Sequence, residues 1–215
     1  MRFILPLAGA GLVAALAGVA WTTVETSRHA ELQLAALSSR AVPAHQGASH
    51  DRLFLTADQQ REAVPALGFP VGLKSLLSVP RQMQYGDFRW NEQGVPAGPV
   101  ELRVDLRTQL LSVFRAGHEI GTAVVLYGAD EKETPVGSFP ILWKGRNHRS
   151  SLYDAPMPYT LRLTGDGVAI HGSDVRWGAA THGCVGVPRD FAEHLFDQAR
   201  VGDTVTIVRT PPPRA

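Results

Sequence analysis

A chain of 215 residues is long enough for one well-buried domain with extra segments, and too short for two large ones. Its 44% hydrophobic content is that of a globular protein, and a net charge of +1, with no basic block and no aromatic-plus-arginine stripe, argues against nucleic acid as a partner. With one cysteine, Cys184, no intrachain disulfide is possible.

Met1-Arg2 gives a short positive start, and residues 3–20 carry no charge and are rich in Leu, Ala, Val and Gly. This predicts an export signal or a membrane anchor over residues 1–24. Gly18 and Ala20 around Val19 fit cleavage of the small-x-small type, whereas the length of the run approaches the ~18 residues that span a bilayer. Both forms imply a protein of the periplasm or cell envelope that meets the membrane only through this segment. Oxidising envelope spaces favour paired cysteines, so a lone thiol there is buried and inert, a route to a dimer, or reactive.

Residues 25–97 read as a linker and a region without clear periodicity. The stretch 41–50 is small and polar. Thr56 with Gln59 forms a capping-box pattern that starts a short helix ending before Pro65. Residues 65–97, rich in Gly and Pro, either pad the edge of the main domain or act as a spacer. From residue 98 the pattern sharpens. Val100, Leu102, Val104 and Leu106 alternate with Glu101, Arg103 and Asp105, the signature of a half-buried strand. A second strand over 109–115 makes a hairpin with it across Arg107-Thr108, and Ala116-Gly117-His118 turns the chain into 120–127. Thr134-Pro135-Val136-Gly137 is a turn before a strand over 138–144. Strands over 159–164 and 168–171 pair across Gly165-Asp166-Gly167. A helix over 190–200 has Asp190 as its cap, Phe191, Leu195 and Phe196 on its apolar face, and Gly202 after its end. A strand over 204–209 precedes the Pro-rich tail 211–215, which cannot continue a sheet. Many short strands with one main helix near the C-terminus predict a mostly β domain over 98–210, a sandwich or partial barrel.

The chemistry concentrates in Thr181-His182-Gly183-Cys184 and in the upstream pair His171-Gly172. A cysteine nucleophile works as thiolate, and a nearby imidazole takes the thiol proton and returns it to a leaving amine. His171 ends a predicted strand thirteen residues before Cys184, a loop long enough for two adjacent strand ends to bring both side chains together. Gly183 admits unusual backbone angles and close substrate approach, and the N–H groups of Gly183 and Cys184 can face an oxyanion. Two alternatives stand beside this one: an inert core thiol, and a His₂Cys zinc set of His171, His182 and Cys184.

The run Ile170-His171-Gly172-Ser173 … Ala180-Thr181-His182-Gly183-Cys184-Val185 resembles the signature of the L,D-transpeptidase catalytic domain, also called YkuD. Val104-Asp105-Leu106 with Leu111-Ser112-Val113-Phe114, Thr134-Pro135-Val136-Gly137-Ser138-Phe139 and residues 201–207 resemble further parts of that domain, so the likeness covers about 98–209 and implies a YkuD-like β fold. It implies Cys184 as nucleophile, His171 as general acid/base oriented by the Gly172 carbonyl, and His182, Gly183 and Cys184 around the oxyanion. Tyr159 would line the substrate groove, with Arg176 and Trp177 as further substrate contacts. The implied reaction is attack on a peptidoglycan tetrapeptide stem, release of D-Ala, and transfer of the acyl group from a thioester to an amine. Stem peptides are then the partners, β-lactams of the carbapenem class are expected to acylate the cysteine, and neither metal nor organic cofactor is needed. The chain departs from the family at Gly186, where Arg or Asn is frequent; Arg176, Arg189 and Lys144 are candidates to replace it. A cysteine L,D-endopeptidase or carboxypeptidase on the same scaffold and a non-catalytic wall-binding domain are the alternative functions.

Overall fold

The computed structural model describes residues 51–61, 69–70, 72–128, 132–151 and 153–212. The signal or anchor expected over 1–24 lies outside them, as does the small polar stretch 41–50. Among the described residues no helix is long and apolar enough to cross a membrane. A helical turn over 57–61 begins with the expected capping box: the Thr56 N–H donates to Gln59 Oε1 at 2.9 Å, and the Gln59 N–H to Thr56 Oγ1 at 3.3 Å. The end expected before Pro65 falls outside the described residues.

The alternating run forms β4 (Val100–Asp105), paired antiparallel with β5 (Leu110–Arg115) in the register Val100↔Arg115 to Asp105↔Leu110. Ala116 and Gly117, at φ 52° and 82°, turn the chain into β6 (His118–Val124). Positive φ at both turn positions matches the twist of a hairpin. β12 (Thr204–Val208) lies parallel to β4 and carries β7 (Gly137–Pro140) on its far side. Three short strands that show no sequence period, β1 (Arg52–Phe54), β2 (Ser75–Leu77) and β3 (Phe88–Trp90), join the same sheet. Its order is β1-β2-β6-β5-β4-β12-β7, with β3 also on β6. Residues 65–97 thus supply two strands.

A second sheet contains β8 (Trp143–Arg149), β9 (Pro156–Arg162), β10 (Ala169–Ser173) and β11 (Val185–Pro188), in the order β11-β10-β9-β8. The single strand expected over 138–144 is therefore two, β7 in the large sheet and β8 in the small one. The chain crosses between sheets at Ile141, whose side chain is buried in the core and whose N–H donates to the Asp203 carbonyl at 2.9 Å. The fold is mostly β with two sheets and a helix near the C-terminus, α1 (Arg189–Gln198). Asp190 does not cap that helix. β11 runs straight into it, so Pro188 occupies the N-cap position without a side-chain bond, and Asp190 sits in the first turn, where the helix dipole favours an acid.

One core joins the two sheets and the helix: Leu102, Val104, Leu111, Val113 and Val205 from the large sheet meet Leu161, Ile170, Val185 and Val187 from the small one and Phe191 of α1. The alternation of β4 predicts that Glu101, Arg103 and Asp105 meet solvent, and of these only Glu101 does. Arg103 is 6% exposed and Asp105 is 2% exposed; Phe69 lies under the Arg103 guanidinium at 4.7 Å, and Thr210, beyond β12, bonds to Asp105. Buried charges need partners. Arg103 meets Asp105 at 3.2 Å, and Asp105 accepts from the Thr210 hydroxyl at 2.7 Å and the Arg107 N–H at 3.0 Å. Nearby, Glu119 is 5% exposed and accepts from the Leu77 N–H at 2.8 Å, which ties β2 to β6.

Burial pushes the Glu119 carboxyl up to about 7, against hydrogen bonds from Ser112 and Leu77 and the nearby Arg52 and Arg103 charges. Its native form stays protonated while the unfolded chain ionises near 4.5, so this group withdraws stability as pH rises from 4.5 to about 7. Glu119→Gln keeps an acceptor for Leu77 and removes that loss. Thermal melts should show the variant close to the parent at pH 5 and more stable, by an amount on the order of 1–3 kcal/mol, at pH 8; equal gaps at both pH values would refute it.

The turn at Thr134 carries a second structural bond. Thr134 is 3% exposed, and its hydroxyl accepts from the Gly128 N–H at 2.9 Å, fixing the segment C-terminal to β6. Thr134→Val should cost roughly 1–3 kcal/mol by leaving that buried N–H unpaired, and Thr134→Ser much less. Urea melts of the two variants measure the difference.

Candidate active site

β10 and β11 run parallel, with His171 opposite Gly186 and Ser173 opposite Pro188. Residues two apart on a strand share a face, so His171 and Ser173 point the same way. Cys184 immediately precedes β11, and His171, Ser173 and Cys184 all line one cleft of about 440 Å³. The thiol is free and half-buried, not enclosed in the apolar core.

The turn carrying Cys184 is pinned from several directions. The Thr181 hydroxyl donates to the Cys184 carbonyl at 2.5 Å, and the Thr181 N–H to the Tyr127 carbonyl at 3.1 Å. Leu126 and Gly186 exchange backbone hydrogen bonds of 2.8 and 2.9 Å. Gly183 sits at φ +95°, a left-handed angle that a side chain would strain, and the Lys132 stem covers the place where its Cβ would go. The Lys132 ammonium pairs with Asp166 at 3.4 Å at the edge of the cleft.

His171 Nδ1 lies 3.0 Å from the Gly172 carbonyl oxygen and 3.2 Å from Ser173 Oγ. A carbonyl only accepts, so Nδ1 carries the hydrogen and Nε2 keeps its lone pair. Burial pulls the imidazole below the usual histidine range, opposed by the Gly172 bond and reinforced by His148. Burial likewise pushes the Cys184 thiol up, against a backbone hydrogen bond from Ala169 and the Lys132 charge. The thiol donates to the Gly167 carbonyl at 3.7 Å. Both groups therefore rest neutral near pH 7, in place of the expected thiolate. Desolvation outweighs the neighbouring cation here.

His182 reaches the same cleft and stacks on Tyr153, with ring centroids 4.4 Å apart. Arg176 lines the cleft and pairs with Asp174 at 3.5 Å. Gly172 lies on its wall. Tyr159 does not line it: its ring packs against Phe196 of α1, with the Arg146 and Arg189 guanidinium groups nearby. Trp177 also lies off the lining, 83% exposed and edge-on to Tyr85. Lys144 donates to the Phe196 and Ala199 carbonyls at the end of α1. Of the cations considered as replacements for a polar residue at 186, Arg176 is the one at the cleft. Sequence reasoning missed Lys132, His148, Tyr153 and Asp166, none of which carries a spacing signal. Among the described residues, no three His, Cys, Asp or Glu side chains converge as metal ligands.

Comparison with curated proteins gives no match. Among solved structures the chain is similar to an L,D-transpeptidase from Stackebrandtia nassauensis, at 26% identity over 55% of this chain and 60% of that one, with a TM-score of 0.48. It is also similar to an L,D-transpeptidase from Mycobacterium tuberculosis H37Rv, at 26% identity over 50% of this chain and 57% of that one, with a TM-score of 0.46. The matched part is less than two thirds of the length of either protein. The family described as the L,D-transpeptidase catalytic domain, YkuD, matches residues 99–207, a span that contains both sheets' main strands, His171 and Cys184, and the chain belongs to that family.

Proposed function

We propose that this protein is a peptidoglycan L,D-transpeptidase that acts through a thioester on Cys184. The observation that carries this reading is that His171, on β10, and Cys184, in the turn that enters the adjoining parallel strand β11, line one cleft, with Nδ1 of His171 held by the Gly172 carbonyl. Membership of the family supplies the reaction class.

The chemistry is set by the protonation states. Because the thiol and imidazole rest neutral, the proton moves during attack. The thiol turns from the Gly167 carbonyl towards Nε2, which takes its proton as Sγ bonds the carbonyl carbon of the stem peptide. The N–H groups of Gly183 and Cys184, with His182 beside them, receive the oxyanion. Collapse expels D-Ala as His171 returns the proton to the departing amine, leaving the acyl group on sulfur. An amine of a second stem then gives a proton to His171 and attacks the thioester, which restores the thiol. Arg176, Lys132 and Arg162 are the lysine and arginine side chains that line the cleft and could meet a substrate carboxylate. The apolar segment 3–20 supports placing this activity in the cell envelope.

Incubating the purified chain with tetrapeptide stems should give cross-linked dimers and free D-Ala by mass spectrometry; shortened stems alone would mean that water is the acceptor. Carbapenem should add one adduct to Cys184 and none to Cys184→Ala, while His171→Ala should slow acylation by roughly 10²–10⁴-fold. Neutral imidazole is the working form, and burial holds its titration below the usual value of about 6.5. Acylation rates should thus stay level from about pH 8 down to about 6.5 and fall only at lower pH; a rate that climbs steadily through neutral pH in step with thiol ionisation would overturn the neutral-pair mechanism.

A further inference from the structure

We propose that Ser173 is a positioning residue for His171, and that residue 186 is glycine because the Ser173 hydroxyl occupies the space its side chain would fill. The inference deepens the proposed function and rests on it. Ser173 belongs to the quoted motif run, but the motif attaches no role to its hydroxyl. The geometry does. Ser173 is two residues beyond His171 on β10, so both side chains stand on the cleft face, and Ser173 Oγ is 3.2 Å from His171 Nδ1. The Gly172 carbonyl lies 3.0 Å from the same nitrogen. One N–H therefore faces two acceptors on different sides. A single carbonyl leaves the ring free to swing about that bond, whereas a second acceptor on the same nitrogen restrains the plane of the ring, and with it the direction of Nε2.

Gly186 completes the arrangement. It faces His171 across the parallel ladder, where a side chain would share the cleft face with Ser173. A Cβ built on Gly186 would sit 2.8 Å from Ser173 Oγ, 3.0 Å from Ser173 Cβ and 3.5 Å from Leu126 Cβ. Neither neighbour yields easily. Ser173 is anchored on β10, and Leu126 is bonded through its backbone to Gly186 itself. Backbone conformation gives no alternative reason for the glycine, since Gly186 is not among the residues at positive φ. Any side chain at 186 would displace the hydroxyl from Nδ1. Residues 173 and 186 thus act as one unit in orienting the base.

The test measures carbapenem acylation of the full-length chain by intact mass, giving a first-order rate at saturation and a half-saturating concentration. Ser173→Ala should lower the rate about tenfold, the worth of one hydrogen bond, with the half-saturating concentration and melting temperature little changed. Ser173→Thr, which keeps the hydroxyl, should restore most of the rate. Gly186→Ala should slow the reaction by a similar factor, and the double variant should be no slower than the slower single one, because both remove the same contact. A Ser173→Ala protein that acylates at the parental rate, or Ala and Thr variants that are equally slow, would overturn the role of Ser173. Losses at 173 and 186 that multiply would overturn their linkage. If the parent itself forms no adduct, the thioester reading fails and the positioning role fails with it; an acylating parent beside an equally fast Ser173→Ala protein sinks the positioning role alone.

Discussion

The parallel pairing of β10 with β11 is the constraint on which the candidate site depends. Parallel neighbours cannot be joined by a tight turn; they need a connection of about a dozen residues. Here the connection spans 174–184 without a helix, returns the chain beside its starting strand, and delivers Cys184 to the cleft that His171 already faces. A loop of that length left to itself would not hold the Cys184 side chain in register. Leu126, Tyr127 and Thr134 correct this: two of them bond the loop and the strand it enters, and the third fixes the segment they belong to. The recognisable turn at residues 134–137 thus serves a site almost fifty residues further along the chain.

Half-burial at this place has a chemical consequence. The same surroundings that shield the thiol and imidazole from water disfavour both of their charged forms, so the pair rests without ionising. Lys132 offsets this for sulfur only in part, because its ammonium is itself shared with Asp166. A neutral thiol is protected from indiscriminate oxidation and alkylation, since the thiolate is the reactive species. In the proposed reaction it becomes a nucleophile only when a substrate carbonyl is near enough for proton transfer and bond formation to proceed together. The tautomer needed for that step is set by backbone and hydroxyl acceptors on Nδ1, with no carboxylate involved.

The hairpin β4–β5, the Ala116-Gly117 turn, the pair across residues 165–167 and the late helix were all legible, because each rests on local period or on turn chemistry. The features that escaped detection depend on contacts far apart in the chain. β1, β2 and β3 are three residues each, too short to display alternation. Arg103 and Asp105 look like solvent-facing residues of a half-buried strand, and Phe69 and Thr210, both distant in sequence, make them a buried pair. Asp190 fits a cap by type and position, yet the strand leading into α1 leaves that place to Pro188. At the site, His171, Gly172 and Cys184 stand out by motif. Lys132 and Tyr153 come to the cleft from separate loops with no sequence mark, while Tyr159, placed in the groove by analogy, packs on α1.

The covered outer face of the large sheet bears on the site more than its distance suggests. β6 is held there by Arg52, which donates to the Glu119 carbonyl at 2.5 Å, and by the Glu119 carboxyl, which accepts from β2. Further along the same edge β3 pairs with β6, and the Trp90 ring occupies the place where a Cβ on Gly121 would go, while β5 fills the opposite edge. β6 continues into residues 125–128, and Val125 is bonded in turn to the Gln109 carbonyl at 2.9 Å. That continuation holds the Cys184 turn. A strand secured on both flanks and both faces transmits little slack to the residues at its C-terminal end. The N-terminal strands therefore belong to the physical support of Cys184, although neither their length nor their composition connects them with it.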